Sequence, residues 1–141
     1  MPSTRVLVDT GPLVALFDRR DRHHEPVLAV WRGLQGPVET VWPVVTEAFH
    51  LLAFSALACE ALFDLVQTRA MQILDVTDAD LPRVRELMAK YADVPMDFAD
   101  ACLVRAGERE GIRIVFTIDR QGFAVFAPKH VRRFSLLPRA R

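Results

Sequence analysis

Apolar and polar positions divide the chain into short buried runs and longer helical stretches. RVLVD at 5–9 is apolar and rich in β-branched residues, which predicts a buried strand, followed by a short helix over 12–18. The polar turn RRDRHHEP leads to a helix over 26–34 that Gly33 and the Gly36-Pro37 pair terminate. ETVWPVV, from 39, reads as a second buried strand. It opens into a long helical region over 45–70, broken into two helices near 55–58. MQILDV supplies a short third strand, and Thr77, Asp78 or Asp80 starts a helix over 79–91. A loop over 92–95 precedes a helix over 97–110, stopped by Gly111. IRIVFTID is a fourth strand and RRFSLL a candidate fifth.

Strands alternating with helices predict crossover units. The fold class is therefore α/β: a three-layer αβα sandwich around a mainly parallel sheet of four to five strands. No repeat, low-complexity tract or linker interrupts the pattern. A chain of 141 residues that is 51% hydrophobic has material for one core, so a single domain over 1–141 is expected. In open sheets of this kind, sites form outside the carboxyl ends of the strands, where the strand order reverses. Acids at those positions carry more weight than acids elsewhere.

Eighteen basic residues balance eighteen acidic ones, so no overall positive field attracts a polyanion. Any nucleic-acid contact must rest on local clusters such as Arg19, Arg20 and Arg22, or Lys129, Arg132 and Arg133. Cys59 and Cys102 form no CxxC pair, and the four histidines lack the spacing of a zinc site, which suits a reducing cytoplasmic compartment. The longest charge-free helical stretch, 48–59, is too short to cross a bilayer, and no membrane association is expected.

Four places join an acid to the carboxyl side of the sheet. Asp9 ends the first strand, and Glu47 sits in the apolar run VWPVVTEAFHLLAF, where an unpaired charge is costly. In VPMDFADACLV, Asp97 and Asp100 share one face of a first helical turn. A capping box accounts for Asp97 and less well for Asp100, which is embedded in core-like sequence. Thr117 and Asp119 follow the fourth strand, and Asp119 has the same relation to it as Asp9 has to the first. Helix caps and turns explain each acid taken singly. Taken together, converging carboxylates repel one another and need raised pKa values or a cation between them. Hard oxygen ligands without Cys or His favour Mg²⁺ or Mn²⁺. One or two such ions, roughly 4 Å apart, can turn water into a nucleophile and neutralise a phosphodiester in transition.

These segments resemble the PIN-domain family of metal-dependent ribonucleases, most closely its small VapC-like members in toxin-antitoxin systems. VLVDTGPLVALFD is similar to the family's opening strand, placing its acid on Asp9 and the neighbouring hydroxyl on Thr10. TEAFHLL places the second acid on Glu47, DFADACLVRAGE the third on Asp100, and FTIDRQGF supplies Thr117 and Asp119. The resemblance implies a parallel αβα sandwich and an Mg²⁺ or Mn²⁺ site formed by Asp9, Glu47, Asp100 and Asp119. It implies endonucleolytic cleavage of RNA, a homodimer and a cognate antitoxin protein. Thr10 and Thr117 would orient ligands or substrate phosphate, with Asp97 able to share the role of Asp100. Arg20, Arg22 or Arg120 would position the RNA backbone. AFHLLAFSALACEALFDLV has few polar positions for a surface helix pair, and a dimer or antitoxin interface is the preferred reading over plain core packing.

Two rival classes remain open. A haloacid-dehalogenase-like phosphatase would use Asp9 as a covalent nucleophile, but wants a second Asp where this chain has Gly11. A catalytically silent PIN-like module would keep the acidic pocket as an RNA-binding or regulatory surface.

Overall fold

Val6, Leu7 and Val8 are all buried, as a central strand covered on both faces requires. The computed structural model describes residues 4–139. Five strands are present: β1 (Val6–Val8), β2 (Val38–Val41), β3 (Gln72–Leu74), β4 (Ile114–Phe116) and β5 (Ser135–Leu137). They form one sheet in the order β3-β2-β1-β4-β5, and every neighbouring pair is parallel. The expected α/β class and αβα layering are therefore present, with the fifth strand in place.

The chain steps outward from β1 through β2 to β3, then returns to the other side of β1 with β4. The order reverses between β1 and β4, which opens a crevice at their carboxyl ends. Right-handed crossovers set α1 (Thr10–Phe17), α2 (His24–Gly33), α3 (Trp42–Leu51) and α4 (Ala56–Gln67) against one face. They set α5 (Leu81–Lys90) and α6 (Phe98–Glu110) against the other. The contacts of α1 with α2, α3 and α4, and of α5 with α6, agree with this division, while α3 also meets α6. A short helix, α7 (Arg120–Val125), links β4 to β5.

Three boundaries differ from the sequence pattern. The second strand was expected to include WPVV, but β2 ends at Val41 and α3 starts at Trp42. Pro43 explains the correction: inside an interior strand it would delete a ladder hydrogen bond, whereas in a first helical turn its missing N–H is not needed. Glu47 consequently lies more than a turn into α3 rather than at its opening. The break in the long helical region falls at 52–55, just before the expected position, because Ser55 caps α4 by accepting from the Ala58 N–H at 3.1 Å. Helix α1 begins at Thr10 rather than Pro12. The expected stop at Gly111 is present, with φ 70°, in the left-handed conformation that glycine adopts without strain.

The core is apolar and aromatic, with Leu7, Leu13, Leu103, Phe116, Phe123 and Phe126 fully buried. Phe126 packs edge-on against Tyr91 and Phe123, each at 5.2 Å between ring centroids. Gly107 on α6 lies against β1, where an added Cβ would stand 2.9 Å from Leu7 Cδ1 and 3.2 Å from the Phe134 ring. Gly107→Val should therefore lower stability by about 2 kcal/mol through overpacking. Urea titration would show it as a lower midpoint at unchanged m-value, and an unchanged midpoint would contradict this close packing.

Buried acids away from the crevice have cationic partners. Glu39 on β2 takes two hydrogen bonds from the Arg5 guanidinium, at 2.8 and 2.9 Å. Asp80 takes one from Arg105 Nε at 2.8 Å and one from Arg109 Nη1 at 2.7 Å. Glu108 is bound by Arg83. Among the described residues no helix is long and apolar enough to cross a membrane.

Candidate active site

At the crevice beyond β1 and β4 lies a cleft of about 610 Å³, lined by Asp9, Asp21, His23, Glu47, Asp97, Asp100 and Asp119 among others. All four acids expected to act together line it, although they come from four separate segments of the chain. Asp9 follows β1, Glu47 rises from α3, Asp100 lies in the first turn of α6, and Asp119 follows β4.

Asp9 is 7% exposed. It occupies the cap position of α1, yet its side chain makes no capping hydrogen bond. Its carboxylate instead accepts from the Thr10 backbone N–H and, at 2.8 Å, from the Thr117 hydroxyl. Capping thus does not account for this acid. Unlike Glu39 and Asp80, it has no cationic partner among the described residues. Burial raises its pKa from 3.8 to about 6 against the opposing hydrogen bonds, and the charges of Asp119 and Glu47 push the same way.

Thr117 is fully buried and ties two strand ends together. Its hydroxyl donates to Asp9 and accepts from the Asp119 backbone N–H at 2.9 Å. Asp119 itself starts α7, with Oδ1 accepting from the Gly122 N–H at 3.1 Å. Asp97 and Asp100 form the anticipated capping box: the Asp100 N–H donates to Asp97 Oδ1 at 2.8 Å, and the Asp97 N–H to Asp100 Oδ2 at 3.2 Å. Capping therefore explains Asp97 and occupies one oxygen of Asp100. The Asp100 pKa is nonetheless raised, first by burial and then by the charges of Asp9 and Asp97. Capping alone would not put Asp9 and Asp100, from separate segments, in each other's field.

None of the three arginines expected to position RNA is among the residues lining the cleft. Arg20 pairs with Asp18 at 3.4 Å and lies 4.5 Å over the Phe54 ring. Arg22 Nε donates to His23 Nε2 at 3.1 Å. Arg120 donates to the Pro138 carbonyl. Asp21 and His23 line the cleft and were not singled out from the sequence. They lie in the aperiodic turn after α1, where only proximity to the first acid's helix gave any signal.

Two observations bear on a divalent cation. The Thr10 hydroxyl is buried without a hydrogen-bond partner among the described residues, and Thr10 lines the same cleft as Asp9. The other donors lining the cleft are carboxylate oxygens apart from His23, and hard oxygen ligands match Mg²⁺ or Mn²⁺. Among the described residues no three carboxylate, cysteine or histidine side chains stand close enough to share an ion directly. Mg²⁺ binds through one or two carboxylates and keeps several waters, so it does not require three side chains in direct contact. The residues fit the group.

A family model of the PIN domain matches residues 6–127. Ribonuclease VapC26 of Mycobacterium tuberculosis is 24% identical over 136 residues, covering 94% of this chain and all of that protein. Among solved structures, the chain resembles Mycobacterium tuberculosis VapC20, described as a sarcin-ricin loop cleaving toxin. The TM-score is 0.79 at 21% identity, over 90% of this chain and 98% of that one. VapBC2 from Rickettsia felis, bound to a DNA fragment from its promoter, gives a TM-score of 0.56 at 12% identity, over 80% and 86%.

Proposed function

Because the chain belongs to the PIN domain family, we propose that it is a divalent-metal-dependent endoribonuclease and the toxin of a toxin-antitoxin pair. One observation carries the reading: a nearly inaccessible carboxyl group, Asp9, faces other acids with no cationic partner among the described residues. Such a group is costly to ionise unless a ligand supplies positive charge. The matches to ribonuclease VapC26 and to the VapC20 fold support the same reading.

Asp9 and Asp100 would hold Mg²⁺ or Mn²⁺ most directly, with Glu47 and Asp119 ligating through water. The bound cation would activate water and offset the charge of the phosphodiester. Thr117 holds the Asp9 carboxylate in one orientation, and Asp119 is fixed by its hydrogen bond to Gly122. Thr10 offers its unpaired hydroxyl to a ligand water or a phosphate oxygen. Arg20 and Arg22, exposed on either side of the cleft-lining Asp21, would contact the RNA backbone. Arg120 would act from farther out, being bonded to Pro138.

Partners follow from the surface. Leu51, Phe54, Leu57 and Phe63 on and between α3 and α4 are each at least half exposed, with Leu57 at 85%. An apolar patch of this kind suits a homodimer or an antitoxin. Free Cys59 and Cys102 suit a cytoplasmic setting.

Cleavage of a structured RNA by the purified protein should appear with Mn²⁺ and vanish with EDTA. The same Mn²⁺ should raise the Tm, by the equivalent of about 2.7 kcal/mol at a hundredfold excess over its Kd. Equal cleavage with Mn²⁺ and with EDTA would sink the metal mechanism. Failure to cleave any RNA, with binding intact, would favour the silent RNA-binding module.

A further inference from the structure

Charge is balanced over the whole chain but unevenly placed. After Asp119 come six of the eighteen basic residues and none of the eighteen acids. Three of these, Lys129, Arg132 and Arg133, meet Arg113 at the amino ends of β4 and β5. There the Ser135 N–H donates to the Arg113 carbonyl at 2.8 Å, and His130 Nε2 donates to the Ile112 carbonyl at 2.6 Å. All four cationic residues are exposed. None enters an ion pair among the described residues. The acids at the adjoining end of α6 are already held, Glu108 by Arg83 and Arg105, and Glu110 by Arg5 and Arg109. This end of the parallel sheet is opposite to the cleft, which lies beyond the carboxyl ends of β1 and β4.

We propose that Arg113, Lys129, Arg132 and Arg133 form a second contact surface for RNA, holding backbone phosphates away from the cut. The inference rests on the nuclease reading and adds to it an anchoring surface outside the cleft. Like charges gathered without a carboxylate repel one another, and a bound anion relieves that repulsion. Guanidinium groups bind phosphate oxygens two at a time, whatever the base sequence. The cleft supplies little of this attraction, because His23 is its only lining residue able to carry positive charge. A protein or a membrane fits the basic surface less well. Such partners seek apolar side chains, and the large exposed ones stand on and between α3 and α4, on α5, at the start of α6 and on α7, none within 112–113 or 128–135. A domain of this length is on the order of 30 Å across, so one RNA reaches both surfaces only by passing round the side of the sheet.

Equilibrium binding of a folded RNA in EDTA, where nothing is cut and the acidic cleft repels phosphate, isolates this surface. Arg132→Gln combined with Arg133→Gln should weaken binding roughly 60-fold at 0.1 M salt. It should also lower the slope of log affinity against log salt by about 1.8, the counterion release of two phosphate contacts. Arg113→Gln combined with Lys129→Gln should do the same, and serves if the first pair folds poorly. Arg32→Gln combined with Arg85→Gln removes equal charge from exposed positions on α2 and α5, and should change little. With Mn²⁺, the first pair should raise KM on the folded RNA at unchanged kcat, and should match wild type on an oligonucleotide confined to the cleft. Unchanged affinity and salt slope in both patch variants would overturn the surface and leave the nuclease reading intact. An equal loss in the Arg32 and Arg85 pair would also overturn it, by assigning the effect to net charge. Tighter binding of polyglutamate than of RNA, lost in the same variants, would overturn it in favour of an acidic protein. Cleavage of no RNA by the unaltered chain, with binding in EDTA still weakened by the patch variants, would overturn the nuclease reading and leave the surface standing.

Discussion

Asp9→Asn is expected to reduce RNA cleavage by roughly 10²- to 10³-fold, the cost of removing one preorganised electrostatic group, while making the metal-free protein harder to unfold. The two effects share a cause. Asp9 is buried, and its pKa in the folded chain is about 6 against an ordinary 3.8. A carboxyl group with a raised folded pKa favours folding while protonated. That advantage is complete below about pH 4, falls as the pH rises through about 6, and is absent above. Two pKa units correspond to about 3 kcal/mol, so metal-free wild type should lose up to about that much stability between pH 4 and 7 from this group. Asn carries no charge to desolvate and its carbonyl can still accept from Thr117. Denaturant titrations in EDTA at pH 4.5 and 8 should show a fall for wild type and a shallower one for the variant. Matching pH dependence in the two proteins, or an active Asn variant, would refute the assignment.

Asp80→Asn should act in the opposite sense, destabilising the fold by about 2–4 kcal/mol. Asp80 is 2% exposed. Burial alone would raise its pKa, but the Thr77 N–H, Arg105 and Arg109 together outweigh it and hold the carboxyl below the ordinary range. The stability it contributes is present above the ordinary carboxylate pKa and lost as the pH falls through the lowered value. Asn would leave two guanidinium groups facing each other, and their partial exposure puts the loss below that of a fully buried pair. Thermal melts at pH 7 would show it, and the difference should shrink in acid. A variant as stable as wild type would mean that solvent replaces the lost carboxylate.

Comparing these two acids shows what sequence could and could not reveal. The position of Asp9 was legible because an apolar strand ending in a carboxylate is a local pattern, and Thr117 with Asp119 repeats it. Gly111 as a helix stop was legible for the same reason. Asp80 was read only as a helix start, because the residues that neutralise it, Arg105 and Arg109, lie 25 and 29 positions away. Whether a buried acid is paired or unpaired depends on long-range contacts that no local pattern records. Trp42 and Pro43 show a second kind of gap. Their apolar, β-branched neighbours suggest strand, and the preference of Pro for a first helical turn decides otherwise. Asp21 and His23 entered the cleft through an aperiodic turn, where spacing holds little information.

The hydrogen bond between Thr117 and Asp9 spans 108 residues of chain. A ribosome that has synthesised the first hundred residues has already made five of the acids around the cleft, but not the strand that orients the first of them. Closing so long a loop comes late and costs entropy before any contact repays it. The orientation of the first acid is on this account among the last features of the cleft to be fixed as the chain folds.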